Sequence, residues 1–232
     1  MGENDGVKRL LALLCLLPLV LTGCGDAKAT PQAKLSFHGV QPDPEPARPS
    51  FTLTDTSGQP YDFAERTKGR PTYVYYGYTN CPDECPTAMA DVMAALRKVP
   101  KADAAKAVVV FVTTDPKRDT APVMRRFLDQ FGTGIVGLIG TQAEVDAAQR
   151  AAGVQVAAPG PIQPTLPGQP NKHSNDPGNH QHFGPLGYSV THSAVIFAYD
   201  ASDRLPVLYP GGVTPTDIAD DLPLLLDPSR AK

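Results

Sequence analysis

Cys81 and Cys85 are the residues of this chain best suited to chemistry. They stand in Tyr78-Thr79-Asn80-Cys81-Pro82-Asp83-Glu84-Cys85-Pro86, each followed by a proline. A thiolate is both the nucleophile of disulfide exchange and a soft metal ligand. The stretch lies between an apolar run and a helical pattern, so the sulfurs meet a helix N-terminus. Partial positive charge there favours thiolate over thiol. Three residues between the cysteines, rather than two, relax the tight redox geometry. If the second cysteine opens the helix, both sulfurs can face one side at metal-bridging distance. A structural staple is a weaker reading, because so small a loop adds little chain-entropy stabilisation. Inert burial is weaker still, given the flanking prolines and the charges of Asp83 and Glu84. A further candidate is His192, in Val190-Thr191-His192-Ser193-Ala194-Val195-Ile196-Phe197. Alone it reads as a core histidine satisfied by a backbone carbonyl. Beside an exported dithiol it becomes a candidate third ligand.

The elements that must position these residues follow from the apolar pattern. Phe51-Thr52-Leu53-Thr54 and Tyr61-Asp62-Phe63 alternate around Ser57-Gly58, a hairpin signal. Residues 71–78 and 107–113 are rich in β-branched and aromatic side chains and read as buried strands. Between them, residues 86–99 carry Met89, Val92, Met93 and Leu96 at helical spacing, with Pro86 in the first turn. Thr120-Ala121-Pro122 starts a second helix with Val123, Met124, Phe127 and Leu128 inward, and Gly132 and Gly134 stop it. Residues 135–139 form a short strand. Thr141 with Glu144 is a capping box for a helix running to about residue 152. Residues 189–199 read as one strong strand and 205–209 as the next. Thr214 or Thr216 opens a last helix. Hairpin, β-α-β-α, then β-β-α is an α/β arrangement with a central mixed β-sheet flanked by helices. It matches a thioredoxin-like topology with the dithiol at the start of the first main helix.

Two stretches lie outside this pattern. Residues 157–188 are crowded with Pro, Gly and Asn and hold His173, His180 and His182. A loop of that length is uncommon in a compact domain and usually functional or disordered, and it reads as a Pro/His-rich insertion. Its imidazoles could collect copper weakly, with little preorganisation. At the other end, Lys8 and Arg9 precede an apolar run over residues 10–21, too short to span a membrane and suited to a signal peptide. It ends in Leu21-Thr22-Gly23-Cys24, which resembles the lipobox of bacterial lipoproteins. The expectation is a signal peptide over 1–23, lipidation at Cys24, and a Pro-rich linker over 24–50 that holds a domain over 51–228 off the membrane. His38 in that linker carries no expected role. Cys15 leaves with the signal peptide and Cys24 takes the lipid. Of the four cysteines only Cys81 and Cys85 then remain, in an oxidising compartment. A net charge of -3 and 19% charged residues argue against nucleic acid as a partner.

Together the motifs resemble the Sco/SenC family. Its CxxxCP appears as Cys81-Pro-Asp-Glu-Cys85-Pro86, and its aromatic-Gly-Tyr-Thr as Tyr76-Gly77-Tyr78-Thr79. Its DPxRDT appears as Asp115-Pro116-Lys117-Arg118-Asp119-Thr120, and its histidine before a hydrophobic strand as His192. The resemblance covers about residues 50–226 and implies a thioredoxin-like fold binding Cu(I) or Cu(II) through Cys81, Cys85 and His192. It also implies Asp115 near the site at a strand end, while Asp119 reads as a turn or cap residue. The implied role is maturation of the binuclear copper A site of cytochrome c oxidase on the extracytoplasmic face of the bacterial membrane. The implied partners are the oxidase copper A subunit and a copper donor or thiol-disulfide partner. The insertion is longer than the family pattern suggests.

The donor atoms themselves point to the same metal. Two thiolates and an imidazole suit copper in either oxidation state, whereas structural zinc would want a fourth protein ligand. The alternative is a thiol-disulfide oxidoreductase that reduces the target's copper-ligand cysteines. A peroxiredoxin-like peroxidase is disfavoured by the cysteine placement and the histidine strand, and a redox sensor stays open.

Overall fold

A computed structural model describes residues 36–160, 180–182 and 188–231. The expected signal peptide, Cys24, the linker up to residue 35, His173 and most of the insertion lie outside the described residues. No helix among the described residues is long and apolar enough to cross a membrane.

β1 (Thr52–Asp55) and β2 (Pro60–Asp62) pair antiparallel across the Ser57-Gly58 turn, and β1 also pairs with the later strand Ile135–Ile139. A short α1 (Phe63–Thr67) follows, capped by the Asp62 carboxylate. Then come β3 (Thr72–Gly77), α2 (Glu84–Lys98), α3 (Lys101–Ala104), β4 (Val108–Thr113), α4 (Ala121–Leu128), β5 (Ile135–Ile139) and α5 (Gln142–Ala151). β6 (Ala158–Gly160), β7 (His180–His182), β8 (Ser189–His192), β9 (Val195–Tyr199), β10 (Val207–Pro210) and α6 (Pro215–Leu226) complete the order, with a final 3-10 turn (Pro228–Arg230).

The main sheet has the order β10-β9-β3-β4-β5-β1-β2, with β3, β4 and β5 parallel and β9 antiparallel to β3. The run β10-β9-β3-β4, with α2 crossing from β3 to β4 and α6 following β10, is the thioredoxin-like core. Period-two alternation sorts its residues into two layers. Tyr73, Tyr75, Val109 and Phe111 face α2, α4 and α6, joining Met89, Val92, Met124, Leu128, Ile218 and Leu222. Val74, Tyr76, Val110 and Val112 face the other way, against Phe63 of α1 and Val145 and Ala148 of α5. A central strand buried on both faces needs an unbroken apolar run, which residues 73–77 supply.

Three departures from the sequence reading bear on function. Residues 189–199 are two strands, not one. β9 joins the main sheet, whereas β8 belongs to a second sheet of order β6-β8-β7, after a break at Ser193 and Ala194. The expected insertion therefore contributes β6 and β7 as partners of β8. The stretch expected as linker through residue 50 is, from residue 36, a strap bound to the domain. Phe37 is buried, Val40 bridges to Leu208 and Ala47 to Arg204. His38, read as bland, bonds Asp221 at 2.6 Å.

Candidate metal centre

Cys81 sits in the loop between β3 and α2, and Cys85 lies in the first turn of α2. Asp83 caps the helix, its carboxylate accepting the Glu84 N–H at 2.8 Å. The loop is tied down upstream by Asp119. Its carboxylate accepts the Thr79 hydroxyl at 2.6 Å, the Thr79 N–H at 3.2 Å and the Thr113 hydroxyl at 2.7 Å. Thr120 takes the N-cap position of α4, so the role read for Asp119 as a cap gives way to that of a buried anchor for the cysteine loop.

His192 ends β8, and its Nε2 lies 3.8 Å from Cys81 Sγ and 3.7 Å from Cys85 Sγ. The Cys85 N–H donates to Cys81 Sγ at 3.3 Å. The three ligand atoms lie within 4.8 Å of one another. Nδ1 of His192 is 3.3 Å from the Ser193 carbonyl oxygen. A donor role for Nδ1 there leaves Nε2 its lone pair for a metal. The edges of Tyr78 and Tyr75 hold the imidazole plane, with ring centroids 5.4 Å and 6.0 Å away.

Both thiols are free and buried, Cys81 at 5% and Cys85 at 0% exposure. This overturns the argument from flanking prolines and charges. Cys85 tucks under the end of β3, where an added Cβ on Gly77 would come within 2.7 Å of Cys85 Sγ and of the Tyr75 ring. Asp83 and Glu84 stay half-buried at the helix start. The two thiols are driven apart electrostatically. A hydrogen bond from Cys85, with help from His192, holds Cys81 well below the usual thiol range against the opposing cost of burial. Burial, followed by the neighbouring Cys81, pushes Cys85 up.

Asp115 stands outside the three-ligand group. It pairs with Arg118 Nε and accepts the Tyr188 hydroxyl at 2.7 Å. The Arg118 guanidinium lies 3.7 Å over the Tyr188 ring and 5.6 Å from the Tyr78 centroid, and Tyr78 in turn touches His192. Asp115 thus reaches the centre through Arg118 and Tyr78. His180 and His182 lie on β7, opposite His192 and Val190 in the ladder. Sequence reasoning placed Tyr78 in the motif without a role, and missed Tyr75 and Tyr188. Alternation along β3 was the available signal for Tyr75, which shares a face with Gly77. Nothing local marks Tyr188.

Two thiolates and an imidazole converging in a buried pocket fit a soft or borderline transition metal. Among the described residues, this is the His, Cys, Asp and Glu group arranged to hold an ion. The mitochondrial protein SCO2 of Saccharomyces cerevisiae is 32% identical over 114 residues, covering 49% of this chain and 38% of its own. The chain therefore spans well under two thirds of that relative's length. A putative copper-binding protein of Stutzerimonas stutzeri is 27% identical over 161 residues, covering 69% of this chain and 76% of that one. The solved structure of Bradyrhizobium japonicum ScoI with copper bound superposes with a TM-score of 0.60 at 30% identity. That match covers 78% of this chain and 100% of the ScoI chain. The SCO1/SenC family model matches residues 40–227, and the chain belongs to that family.

Proposed function

We propose that this protein binds one copper ion through Cys81, Cys85 and His192 and serves cytochrome c oxidase assembly, delivering copper to, or preparing, the binuclear copper A site. The observation that carries the reading is the buried meeting of two sulfurs and one imidazole nitrogen within 4.8 Å. The set is one ligand short of a structural zinc site and suits copper. A low coordination number also leaves the ion open to transfer by ligand exchange. The copper in the Bradyrhizobium ScoI structure and the description of the Stutzerimonas relative support the choice of metal. Lipidation at Cys24 would hold the domain at the extracytoplasmic membrane face. There it would meet the oxidase copper A subunit and a copper donor or thiol-disulfide partner.

A second reading has a specific observation behind it. The Cys85 N–H donates to Cys81 Sγ, and the surroundings favour the Cys81 thiolate while keeping Cys85 protonated. That asymmetry suits a reductant. Cys81 would attack a target disulfide, and Cys85 would resolve the mixed disulfide, leaving two target thiols and a Cys81–Cys85 disulfide. Both readings need the cysteines, and only copper binding needs His192. Anaerobic titration of the reduced chain with Cu(I) and with Cu(II) separates them. The expected result is one equivalent of Cu(II) bound with thiolate-to-copper charge-transfer absorption, lost in His192→Ala while dithiol exchange survives. A His192→Ala chain with wild-type copper affinity would sink the ligand assignment.

A further inference from the structure

A narrow cleft of about 60 Å³ lies beside the metal centre, between α2 and the end of the β9–β10 hairpin. On α2 it is lined by Glu84, Thr87, Ala88 and Asp91, and Tyr75 of β3 lies beneath. The turn over residues 210–213 forms the facing wall. Glu84 directly precedes Cys85, and Ala194 follows His192 by two positions. The Tyr75 ring and Cys85 Sγ meet over Gly77. Small-molecule sites usually enclose about 300–1,000 Å³, so this space suits one side chain of a larger partner.

The charge of the cleft is one-sided. Glu84 and Asp91 are seven residues apart and share a face of α2, about 10 Å apart along its axis. Neither has an ion-pair partner among the described residues. Burial raises the Asp91 pKa, and nothing beside it offsets the cost. A Cβ on Gly211 would lie 3.7 Å from Glu84 Oε2, so that carboxylate reaches toward the facing wall. The Tyr75 hydroxyl is buried without a hydrogen-bond partner, and Cys85 and Glu84 lie beside it. A buried polar group of that kind calls for a partner from outside the chain. The remaining walls are apolar, from Ala88, Ala194, Ile196 and Tyr209. An aliphatic stem ending in a cation matches this lining, because Lys and Arg bury the stem and keep the head on polar groups. Among the described residues no cation of this chain lines the cleft.

We propose that the cleft receives a lysine or arginine side chain of the polypeptide that exchanges copper or a disulfide with the centre. A basic residue seated against Glu84 and Asp91 places its own chain alongside Cys81 and Cys85. Opposite charge then steers the encounter, and like charge rejects the wrong partner. This docking rests on the reading above that the dithiol serves a polypeptide, by copper transfer or by reduction.

The test uses the reduced, metal-free full chain in detergent and three synthetic peptides. Each carries one cysteine as a mixed disulfide with thionitrobenzoate, with Lys, Gln or Glu two residues away on both sides. Two extended residues span about 7 Å, and a lysine arm reaches further. One protein thiolate displaces thionitrobenzoate and forms a mixed disulfide with the peptide. The other protein thiol then closes the Cys81–Cys85 disulfide and releases the peptide thiol, its proton passing to that sulfur. At low salt the Lys peptide should react at least about threefold faster than the Gln peptide, and the Glu peptide more slowly. Added salt should shrink the difference. Glu84→Gln combined with Asp91→Asn should bring the Lys-to-Gln ratio close to one, and Tyr75→Phe should lower it in part. Glu65→Gln combined with Asp146→Asn removes two carboxylates across the sheet, on α1 and α5, and should keep the wild-type ratio. Taking a ratio cancels changes in the thiols' own reactivity, and circular dichroism checks each fold. A wild-type ratio near one would overturn the docking site. So would a ratio kept in the Glu84, Asp91 variant or lost equally in the Glu65, Asp146 variant. A wild-type chain that reacts with none of the peptides would instead overturn the reading beneath it, a visibly different failure.

Discussion

Cys81 and Cys85 are the same side chain in opposed environments. Cys81 is held low by its partner thiol and by His192, while burial raises Cys85. Absorbance at 240 nm across a pH titration of the reduced, metal-free chain should therefore show one thiolate already present at pH 7. The second should appear only above the usual thiol range, because burial raises Cys85. His192→Ala should move the first transition upward, and two thiolates titrating together near the ordinary value would refute the asymmetry. Asp119 gives a second prediction. Burial pushes its carboxyl up to about 6 despite the hydrogen bonds from Thr79 and Thr113. The folded chain thus holds that proton more tightly than the unfolded chain does. Its contribution to stability is complete below the ordinary value of 3.8 and is lost as pH rises through about 6. Relative to Asp119→Asn, the wild type should gain stability between pH 6 and pH 4, by about 3 kcal/mol at most. Urea denaturation of both chains at pH 4 and pH 7 reads the difference, and a pH-independent gap would be the contrary outcome. The two cysteines were legible from type, spacing and the helix that follows. Their burial was not, because it depends on a strand more than a hundred residues away. His192 was legible only with the family motif beside it, since an imidazole in an apolar strand has a simpler explanation.

Elements with a strong local code came through from the sequence. Thr141 and Glu144 form the capping box of α5, Thr214 caps α6, and the buried run of β3 spans the centre of the sheet. The error fell at β8 and β9, where one apolar run changes sheets. Period-two alternation is the same in both halves, so nothing in the pattern marks the break at Ser193-Ala194. That break is nevertheless what sets the site. It frees β8 from the plane of the main sheet and carries His192 to the start of α2. The packing of α2 against β3 is equally specific. Gly77 ends β3 where Cys85 Sγ and the Tyr75 ring both approach the space a side chain would fill. Gly77→Ala should cost about 1–3 kcal/mol by overpacking, measured by urea denaturation without metal. The displaced thiol should also lower Cu(I) affinity in chelator competition. A variant with unchanged stability and affinity would show that Cys85 has room to move.

At the scale of the whole molecule, the strap before β1 is fastened to β10 and α6. Its basis is a fully buried carboxylate. Asp221 on α6 accepts the His38 backbone N–H at 2.9 Å, bonds the His38 ring at 2.6 Å and accepts the Tyr209 hydroxyl at 2.8 Å. Gly39 passes so close to β10 that a Cβ there would meet the Leu208 carbonyl oxygen at 2.3 Å. The Arg48 side chain, 3% exposed, pairs with Asp203 and donates to Thr67 and to the Arg70 and Asp200 carbonyls. Proline frequency suggested a free linker because prolines disfavour regular elements, but they do not prevent docking. A chain beginning at residue 51 would lose Phe37 from its seat, worth about 1.5–3 kcal/mol, and leave Asp221 with Tyr209 alone. Its melting temperature should fall by about 3–12 °C relative to a chain beginning at residue 36, at about 2–4 °C per kcal/mol. The strap should also respond to pH. The hydrogen bond to Asp221 raises the His38 pKa, with Asp217 and Asp220 adding to it. That stabilisation is whole below the ordinary value of 6.5 and is lost as pH rises through the raised one. The melting gap between wild type and His38→Gln should therefore be wider at pH 5.5 than at pH 8.5. If the chain beginning at residue 51 melts with the longer one at both pH values, the strap is a passive tether. If the gap narrows with rising pH, the strap over residues 36–50 is clasped to the domain by a proton.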